Sequence, residues 1–339
     1  MDKHAVMKKL SRCAFAAASL LAASCVHEGD RSPEFLNAAQ QINQTIRENH
    51  YHPDELDSTA YRAIEAEVLR LGKSAATADE FLTGFNAIWR NGPFSHVALR
   101  RADQPAAVRI AKLDTMIAGP DAATLTWQEN AAILTVNTMT GADTIEAINA
   151  AYEEIVSRGA GKVIIDLRGN TGGTFAVVPL VGHLIAEPVD AGVFVTGRWY
   201  DDHDEPPGPD DFPSATPWRG YSVKAFQADV LTRALTSYRI DPMQPLYGGP
   251  VIVLIGPRTI SAGEIAADVL KATGRATIIG EKTPGIVLSS KLFDVSGGIH
   301  LRVPIADYFS IENGRIEGAG VTPDLKINAE RALDAAIAH

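Results

Sequence analysis

The chain has 339 residues, of which 46% are apolar and 21% charged, so it is long enough to bury at least one sizeable hydrophobic core. Its formal net charge is −10, and no basic cluster follows the first residues. Because nucleic-acid binding depends on clustered Lys and Arg, this composition argues against a nucleic acid as partner.

The first 24 residues have the pattern of a secretory signal. Four Lys and Arg residues precede the apolar run CAFAAASLLAAS, which is too short to span a bilayer and ends in small residues. The segment holds four basic residues and one acid, so its removal would change the net charge from −10 to −13.

Cys25 directly follows this run, in a pattern that resembles a bacterial lipoprotein signal with a thioether-linked lipid on the cysteine. An ordinary signal peptide with a chance cysteine is the alternative. In either case the processed chain keeps a single cysteine and no disulfide. We therefore expect an exported protein on the periplasmic face of a bacterial cell envelope, held at the membrane by the lipid on Cys25 rather than by surface charge.

Three helices are predicted between a short polar tether and about residue 90. The first begins near Ser32, and the second runs from about Ser58 until Gly72 stops it. The third opens with a capping box formed by Thr77 and Glu80. These segments predict a small helical domain at the front of the molecule.

From about residue 106 the pattern changes to short apolar runs, typical of buried strands, that alternate with helical segments. The clearest strand candidates are AAILTVNT (131–138), KVIIDLRG (162–169), PVIVLIG (250–256) and RATIIGE (275–281). Such alternation indicates an α/β core. The predicted organisation is a signal peptide (1–24), a helical N-terminal domain (25–104) and an α/β core (105–339).

The segment 198–220, RWYDDHDEPPGPDDFPSATPWRG, interrupts this alternation and has no apolar period. It is too long for an idle connector, so a lid or substrate-binding loop is one interpretation and disorder is the other.

Ser261 stands between a predicted buried strand and the helical run AGEIAADVLKATG. A serine there is either a helix N-cap or a nucleophile, and its position alone favours the cap. Both uses exploit the free backbone N–H groups and the positive end of the helix. The G-x-S-x-G elbow of α/β-hydrolases is absent, since Thr259 stands two residues before the serine.

A second motif, VIIDLRGNTGG (163–173), places Asp166 and Arg168 at the end of a predicted strand, followed by a glycine turn. The Walker and dinucleotide-binding patterns are missing. We expect Asp166 and Arg168 to pair with each other or to brace the loop rather than to act chemically.

Together with EGAGVTPDLKI (317–327), these two motifs resemble the tail-specific (carboxyl-terminal-processing) and tricorn-type serine peptidases in order and spacing, over about residues 130–327. The resemblance implies a crotonase-like spiral ββα core. It implies Ser261 as nucleophile, and an oxyanion hole formed by the amide of Gly172 or Gly173 with that of Ala262.

The resemblance leaves the general base to be identified. The bacterial tail-specific branch uses a lysine, and Ile286 stands at its position in GEKTPGIV. Lys282 lies four residues too early and Lys291 five too late, so neither fits without a shift of register.

The branch related to the tricorn core and to interphotoreceptor retinoid-binding protein uses a Ser-His pair instead, and this chain has one at Ser95-His96. The resemblance implies that His96 is the general base and that Glu317 orients it through the Ser95 hydroxyl. His300 is the alternative base, and Glu312 the alternative acid.

We therefore expect a serine endopeptidase or carboxyl-terminal-processing peptidase that acts on peptides or proteins through an acyl-enzyme on Ser261, with no cofactor and no metal. Only about thirty-five residues separate His96 from the strand at 131, too few for a PDZ insertion. Substrate recognition is therefore expected from segment 198–220. A non-catalytic ligand-binding or peptide-binding protein of the same fold and an ester or thioester hydrolase are the two alternatives.

Overall fold

The computed structural model describes residues 32–339. The predicted signal peptide and the lipidation site proposed at Cys25 lie outside the described residues. Across residues 32–339, no helix combines the length and the apolar character that crossing a membrane requires.

The helices of the described region fall into an N-terminal group and a group that alternates with strands. They are α1 (Ser32–Asn49), α2 (Thr59–Ser74), α3 (Ala78–Trp89), α4 (Ala106–Leu113), α5 (Ala142–Ser157), α6 (Val177–Gly182), α7 (Val223–Val230), α8 (Ala262–Ala272) and α9 (Ala332–Ala338). The three predicted N-terminal helices are confirmed, whereas α4 was not predicted.

The strands form two sheets. They are β1 (Ala98–Arg101), β2 (Ala123–Gln128), β3 (Ala131–Val136), β4 (Lys162–Asp166), β5 (Val189–Val195), β6 (Thr216–Trp218), β7 (Leu235–Ile240), β8 (Val251–Ile255), β9 (Thr277–Gly280), β10 (Ser289–Val295), β11 (Ile299–Ser310), β12 (Gly314–Arg315) and β13 (Leu325–Lys326). The predicted α/β fold is confirmed.

Helix α2 passes through Gly72, where the sequence predicted its end. A Cβ atom on Gly72 would lie 2.8 Å from the Cβ of Ala39 and 2.8 Å from the carbonyl oxygen of Phe35. The glycine therefore lets α1 and α2 cross closely and does not terminate the helix. The predicted stop was wrong because packing, not a helix end, requires the missing side chain.

One sheet is almost entirely parallel and has the strand order β13-β9-β8-β4-β3-β2, with only β2 antiparallel to its neighbour. The continuous apolar runs of β4 and β8 suit strands that are covered on both faces. Asp166 at the end of β4 pairs in register with Leu254 near the end of β8. The loops that follow these two strands therefore meet at one edge of the sheet, and they carry the glycine turn and Ser261.

The second sheet has the order β1-β11-β5-β7-β6, and β10 and β12 also pair with β11. Helices α1 to α3 pack on the β10–β11 hairpin in one hydrophobic cluster that includes Phe35, Phe81, Leu301 and Val303. Strand β1 directly follows His96 and pairs with β11 in antiparallel register. The segment that carries Ser95 and His96 is therefore attached to the second sheet.

The segment 198–220 is ordered rather than disordered. It contains two short 3-10 turns and β6, which pairs with β7. Trp199, Phe212 and Trp218 are buried, the first two in a small hydrophobic cluster with Val193 and Leu235. Trp199 and Phe212 thus belong to a small local core, and Trp218 belongs to the main core.

Candidate active site

Ser261 lies at the start of α8, at the end of a turn that hydrogen bonds hold to the loop after β4. The buried Thr259 hydroxyl donates to the carbonyl of Leu167 at 2.7 Å and accepts from the amide of Gly256 at 3.0 Å. The amide of Ile260 donates to the carbonyl of Asn170 at 3.0 Å. These bonds fix the backbone on both sides of the two loops that meet at Ser261.

The backbone of Ser261 has φ 55° and ψ −123°, outside the extended conformation of an ordinary N-cap residue. A non-glycine residue with positive φ is strained, and such strain is concentrated at functional sites. Within residues 32–339, only Glu129 and His96 share this feature. Both residues that the sequence nominates as nucleophile and base therefore have strained backbones.

The glycine turn approaches Ser261 so closely that no side chain fits between them. A Cβ atom on Gly172 would lie 2.6 Å from the Cβ of Ser261, and one on Gly173 would lie 2.4 Å from Thr140 Oγ1. Both glycines also have positive φ, 77° and 144°. Glycine is required at both positions because a side chain would be strained at these φ values and would collide with the neighbouring atoms.

The backbone amides beside Ser261 differ in their availability. The amide of Gly172 donates to the Oδ1 of Asn170 at 2.9 Å. Across residues 32–339, no hydrogen bond uses the amide of Gly173 or that of Ala262. Gly173, Ala262 and Ser261 all line one cavity, whereas Gly172 does not. Of the two glycines that the resemblance nominates, Gly173 is the one with a free donor at the cavity.

Asn170 organises the glycine turn from the inside. It is fully buried, and its Nδ2 donates to the carbonyl of Val136 at 2.8 Å while its Oδ1 accepts from Gly172. A Cβ atom on Gly263 would lie 2.7 Å from the same Oδ1. Asn170 thus joins β3, the glycine turn and the first turn of α8.

Glu264 connects Ser261 to the turn at 283–286, where the sequence resemblance led us to look for a lysine base. Its buried carboxylate accepts four hydrogen bonds, from the amides of Ser261 (3.0 Å), Ile286 (2.8 Å) and Gly285 (2.7 Å) and from Thr283 Oγ1 (2.6 Å). Burial raises the pKa of Glu264, and these hydrogen bonds to the charged form oppose the increase.

No lysine reaches this cavity among the described residues. Ile286 and Lys291 are outside the set of residues that line it, and Lys282 is exposed elsewhere on the surface. The only lining side chain that can act as a base near neutral pH is His96.

His96 is oriented by its neighbour in the sequence. Its Nδ1 lies 2.6 Å from the Oγ of Ser95, and its backbone has φ 64°. Burial, followed by the positive charge of Arg302, lowers the pKa of His96 to about 4. The imidazole is therefore neutral at pH 7, the form that accepts a proton.

Glu317 lies next to the turn that Glu264 holds, since its Oε2 accepts a hydrogen bond from the amide of Val287 at 2.8 Å. Within residues 32–339, no hydrogen bond or ion pair joins Glu317 to Ser95 or His96. His300, the alternative base, is fully buried outside the cavity, and its Nε2 lies 2.8 Å from the carbonyl oxygen of Gln104. Glu312 is exposed.

The cavity has a volume of about 440 Å³, within the usual range for sites that bind small ligands or short peptide segments. Its walls mix apolar and polar side chains and come from α4, α7 and α8, from strands of the second sheet, and from the loops that follow β3 and β4. No residue of segment 198–220 lines it. Substrate recognition by this segment therefore stays a prediction and would take place outside this cavity, since β6 lies at the opposite edge of the second sheet from β1.

Asp166 and Arg168 pair as expected, with Arg168 Nη2 2.6 Å from Asp166 Oδ2, and Arg168 Nη1 also donates to the carbonyl of Ala329. Sequence reasoning did not identify Asn170 or Glu264 as site residues. Both are polar residues inside the two motifs that carried the resemblance, and their place in those motifs could have indicated a role at the site.

A family model described as "Peptidase family S41" matches residues 130–327, more than half of the chain. The carboxyl-terminal-processing protease of Picosynechococcus is 40% identical over 81 residues, which cover 24% of this chain and 20% of that protein. The chloroplastic carboxyl-terminal-processing peptidase 1 of Arabidopsis thaliana is 26% identical over 176 residues, covering 52% of this chain and 29% of that protein. The matches thus span less than a third of these two curated relatives.

Solved structures show the same fold over most of the chain. A putative peptidase from Parabacteroides merdae has a TM-score of 0.59 at 13% identity and covers 89% of this chain and 96% of its own. The photosystem II D1 C-terminal processing protease has a TM-score of 0.54 at 14% identity, covering 87% and 94%. The two motifs that meet at Ser261 both lie within the matched residues, and the chain belongs to peptidase family S41.

Proposed function

We propose that this chain is a serine peptidase that hydrolyses peptide bonds through an acyl-enzyme on Ser261, with His96 as general base. The observation that carries the proposal is one cavity lined by Ser261, by a neutral His96 and by the free amides of Gly173 and Ala262. Nucleophile, base and oxyanion donors are the three parts that acyl transfer needs.

In the proposed reaction, the Oγ of Ser261 attacks the carbonyl carbon of the scissile bond and the Nε2 of His96 takes its proton. The amides of Gly173 and Ala262 donate to the oxyanion of the tetrahedral intermediate. His96 then returns the proton to the leaving amine. In the second half it takes a proton from water, the hydroxide attacks the ester carbonyl, and His96 gives that proton to Ser261 Oγ as the acyl bond breaks.

Ser95 supports this assignment through its contact with Nδ1. When Nδ1–H donates to Ser95 Oγ at 2.6 Å, the lone pair of Nε2 is free to accept a proton. We propose that Glu317 supports this pair after the active site closes on substrate. We expect Glu317→Ala to slow acylation by about tenfold while leaving the fold intact, since Glu317 would act on His96 only through Ser95.

The names of the relatives favour processing near a carboxyl terminus, and the substrate we propose is therefore a peptide or protein. We further propose that the enzyme acts at the bacterial cell envelope after export, with lipidation of Cys25 as its anchor. Metabolic labelling with an alkyne-tagged fatty acid, compared between the wild type and Cys25→Ser, would test the anchor.

A fluorophosphonate probe tests the proposed chemistry, because it labels only an activated serine. We expect the wild type to be labelled on Ser261, and Ser261→Ala and His96→Ala to escape labelling. Peptide and thioester substrates assayed side by side then identify the bond that is cleaved. A wild-type protein that is folded but unlabelled would favour a non-catalytic binding function, and turnover of thioesters alone would favour an acyl hydrolase.

A further inference from the structure

The cavity beside Ser261 contains three arginines and no acidic residue among the residues that line it. Arg100, Arg109 and Arg302 contribute to its wall, together with one neutral histidine. The whole chain has a net charge of −10, so this concentration of positive charge runs against the average composition. Positive charge focused in a concave site attracts anions.

Among residues 32–339, no acidic side chain pairs with two of the three guanidinium groups, those of the half-buried Arg100 and the exposed Arg302. Across residues 32–339, no hydrogen bond or ion pair engages the side chain of Arg100 or of Arg302, and the Nε of Arg100 is buried without a hydrogen-bond partner. Arg109 differs, since its Nη1 lies 3.2 Å from Asp103 Oδ1. A buried donor without a partner costs free energy unless a ligand supplies one.

The strand register places the two unpaired arginines on the same face. Ala98 pairs with Arg302 and Arg100 pairs with His300, so Arg100 and Arg302 are diagonal neighbours across β1 and β11. Like charges in such neighbouring positions repel each other. Burial lowers the pKa of Arg100, and the charges of Arg109 and Arg302 lower it further.

The acidic groups nearest to these strands are already engaged. Asp103 pairs with Arg109, and Asp294 accepts from the amide of Ala106 at 2.9 Å and lies 3.2 Å from the Nε2 of His300. Within residues 32–339, Asp103 is close enough to raise the pKa of Arg100, but no carboxylate forms an ion pair with Arg100 or Arg302. Guanidinium groups match carboxylates in geometry as well as in charge, because they donate two parallel hydrogen bonds.

We propose that Arg100 and Arg302 form a subsite that binds a carboxylate of the peptide substrate beside Ser261. The apolar walls of the same cavity, which include Ile110 and Phe226, accommodate the aliphatic or aromatic part of that substrate. The carboxylate comes either from the free terminus of the peptide or from an Asp or Glu side chain near the scissile bond. The proposal rests on the proposed peptidase function, and binding measurements separate the two.

Binding is measured first with Ser261→Ala, which cannot form the acyl-enzyme, by fluorescence anisotropy with four labelled hexapeptides of alternating Ala and Leu. One has a free carboxyl terminus and its partner an amidated terminus. The other two are amidated and carry a single internal Glu or Gln. We expect about tenfold tighter binding of the carboxylate member of one pair, since a charge-assisted hydrogen bond contributes at least that much. The pair that shows the preference identifies the source of the carboxylate.

The same measurements are made with Arg302→Gln and Arg100→Gln in the Ser261→Ala background. Each change is expected to bring the ratio of the two dissociation constants within a peptide pair close to one. Arg302→Lys should keep part of the preference, because the positive charge remains although the planar guanidinium is lost. Lys291→Gln is the matched control. It removes a nearby positive charge, but Lys291 lies over the ring of Phe293 and outside the cavity, so the preference should not change.

Kinetics with the active protein separate this inference from the proposed function. Cleavage of all four peptides without a preference for either carboxylate would overturn the subsite and leave the peptidase standing. Carboxylate-dependent binding without cleavage would retain the subsite and contradict the peptidase. A preference that survives in Arg302→Gln and Arg100→Gln, with folding verified by circular dichroism, would also overturn the subsite.

Discussion

Ser261 and His96 line the same cavity, but the protein holds them in place in very different ways. The turn that carries Ser261 is fixed by Thr259, Asn170 and Glu264, all of them fully buried. His96 has one side-chain hydrogen bond, to Ser95, and precedes the short strand β1. The proposed nucleophile is thus held by loops that follow strands of the parallel sheet, whereas the proposed base depends on docking of the N-terminal segment on β11.

This difference separates what local sequence can specify from what tertiary structure must supply. Residues 163–173 and 256–264 contain almost every group that shapes the nucleophile and its oxyanion donors. The base, in contrast, comes from a different sheet and from a segment 165 residues earlier in the chain. Variants that alter the loops around Ser261 or the segment around His96, but not both, test whether the two are held independently.

The largest effect is expected from His96→Ala. Loss of the general base should lower kcat by at least about 10³-fold, because Ser261 has no other base in the cavity. Adding Ile286→Lys should not restore activity, since the amide of Ile286 is bound by Glu264 in a turn that is built without a lysine. Steady-state kinetics on a cleavable peptide would show this. Recovery of activity in the double variant would contradict His96 as the base.

Gly173→Ala is expected to lower kcat by about 100-fold, the usual effect of losing one oxyanion donor. A Cβ atom would lie 2.4 Å from Thr140 Oγ1 at φ 144°, so the loop must shift and carry the amide away from Ser261. Gly159→Ala is the matched control, since Gly159 has φ 65° and no atom within 4 Å of the added Cβ. The control should lose about 1 kcal/mol of stability and no activity. Equal kcat for Gly173→Ala and the wild type would remove this amide from the mechanism.

Glu264→Gln tests the rigid half of the site. An amide group in place of the carboxylate would turn an NH₂ donor toward N–H donors, so we expect a loss of about 1–3 kcal/mol in the free energy of unfolding. Activity should fall by about tenfold, because the Ser261 amide and the turn at 283–287 lose a shared acceptor. Glu312→Gln, an exposed change, is the control for urea denaturation and for kinetics. Unchanged stability in Glu264→Gln would show that the carboxylate is protonated and already acts as a donor.

The smallest effect concerns pH. His96 must be neutral to accept a proton, and its pKa is lowered to about 4, so kcat/KM should stay level from pH 7 to about pH 5 and decline near pH 4. Because the folded pKa lies below the ordinary 6.5, His96 costs stability as pH falls from about 6.5 toward 4. Arg302→Gln should move the midpoint of kcat/KM upward. A wild-type midpoint at 6.5 would show that His96 is solvated or is not the base.

The three N-terminal helices and the central strands β3, β4, β8 and β9 could be predicted because apolar periodicity is a local signal, whereas the meeting of the two motifs was implied only by the resemblance. The stop at Gly72 was mispredicted because a glycine that serves a helix crossing resembles one that ends a helix. Helix α4 was missed because its eight residues make little more than two turns, and a short, mostly apolar run does not distinguish a helix from a strand.

The role of segment 198–220 and the arginines of the cavity could not be predicted for a different reason. Trp199 and Phe212 become buried against Val193 and Leu235 only when the chain has folded. Arg100 and Arg302 lie 202 positions apart in sequence, and only the pairing of β1 with β11 brings them together. Neither arrangement has a sequence signal within a single segment.

Strand β1 has only four residues, Ala98 to Arg101, and lies at the end of its sheet with a single partner. Short terminal strands detach at a lower energetic cost than the centre of a sheet, and they do so while the rest of the fold persists. Detachment here would carry the imidazole away from an alcohol that stays in place. The upper temperature limit of the proposed activity would then be set by the four residues of β1 that pair with β11, and it would lie below the temperature at which the parallel sheet unfolds.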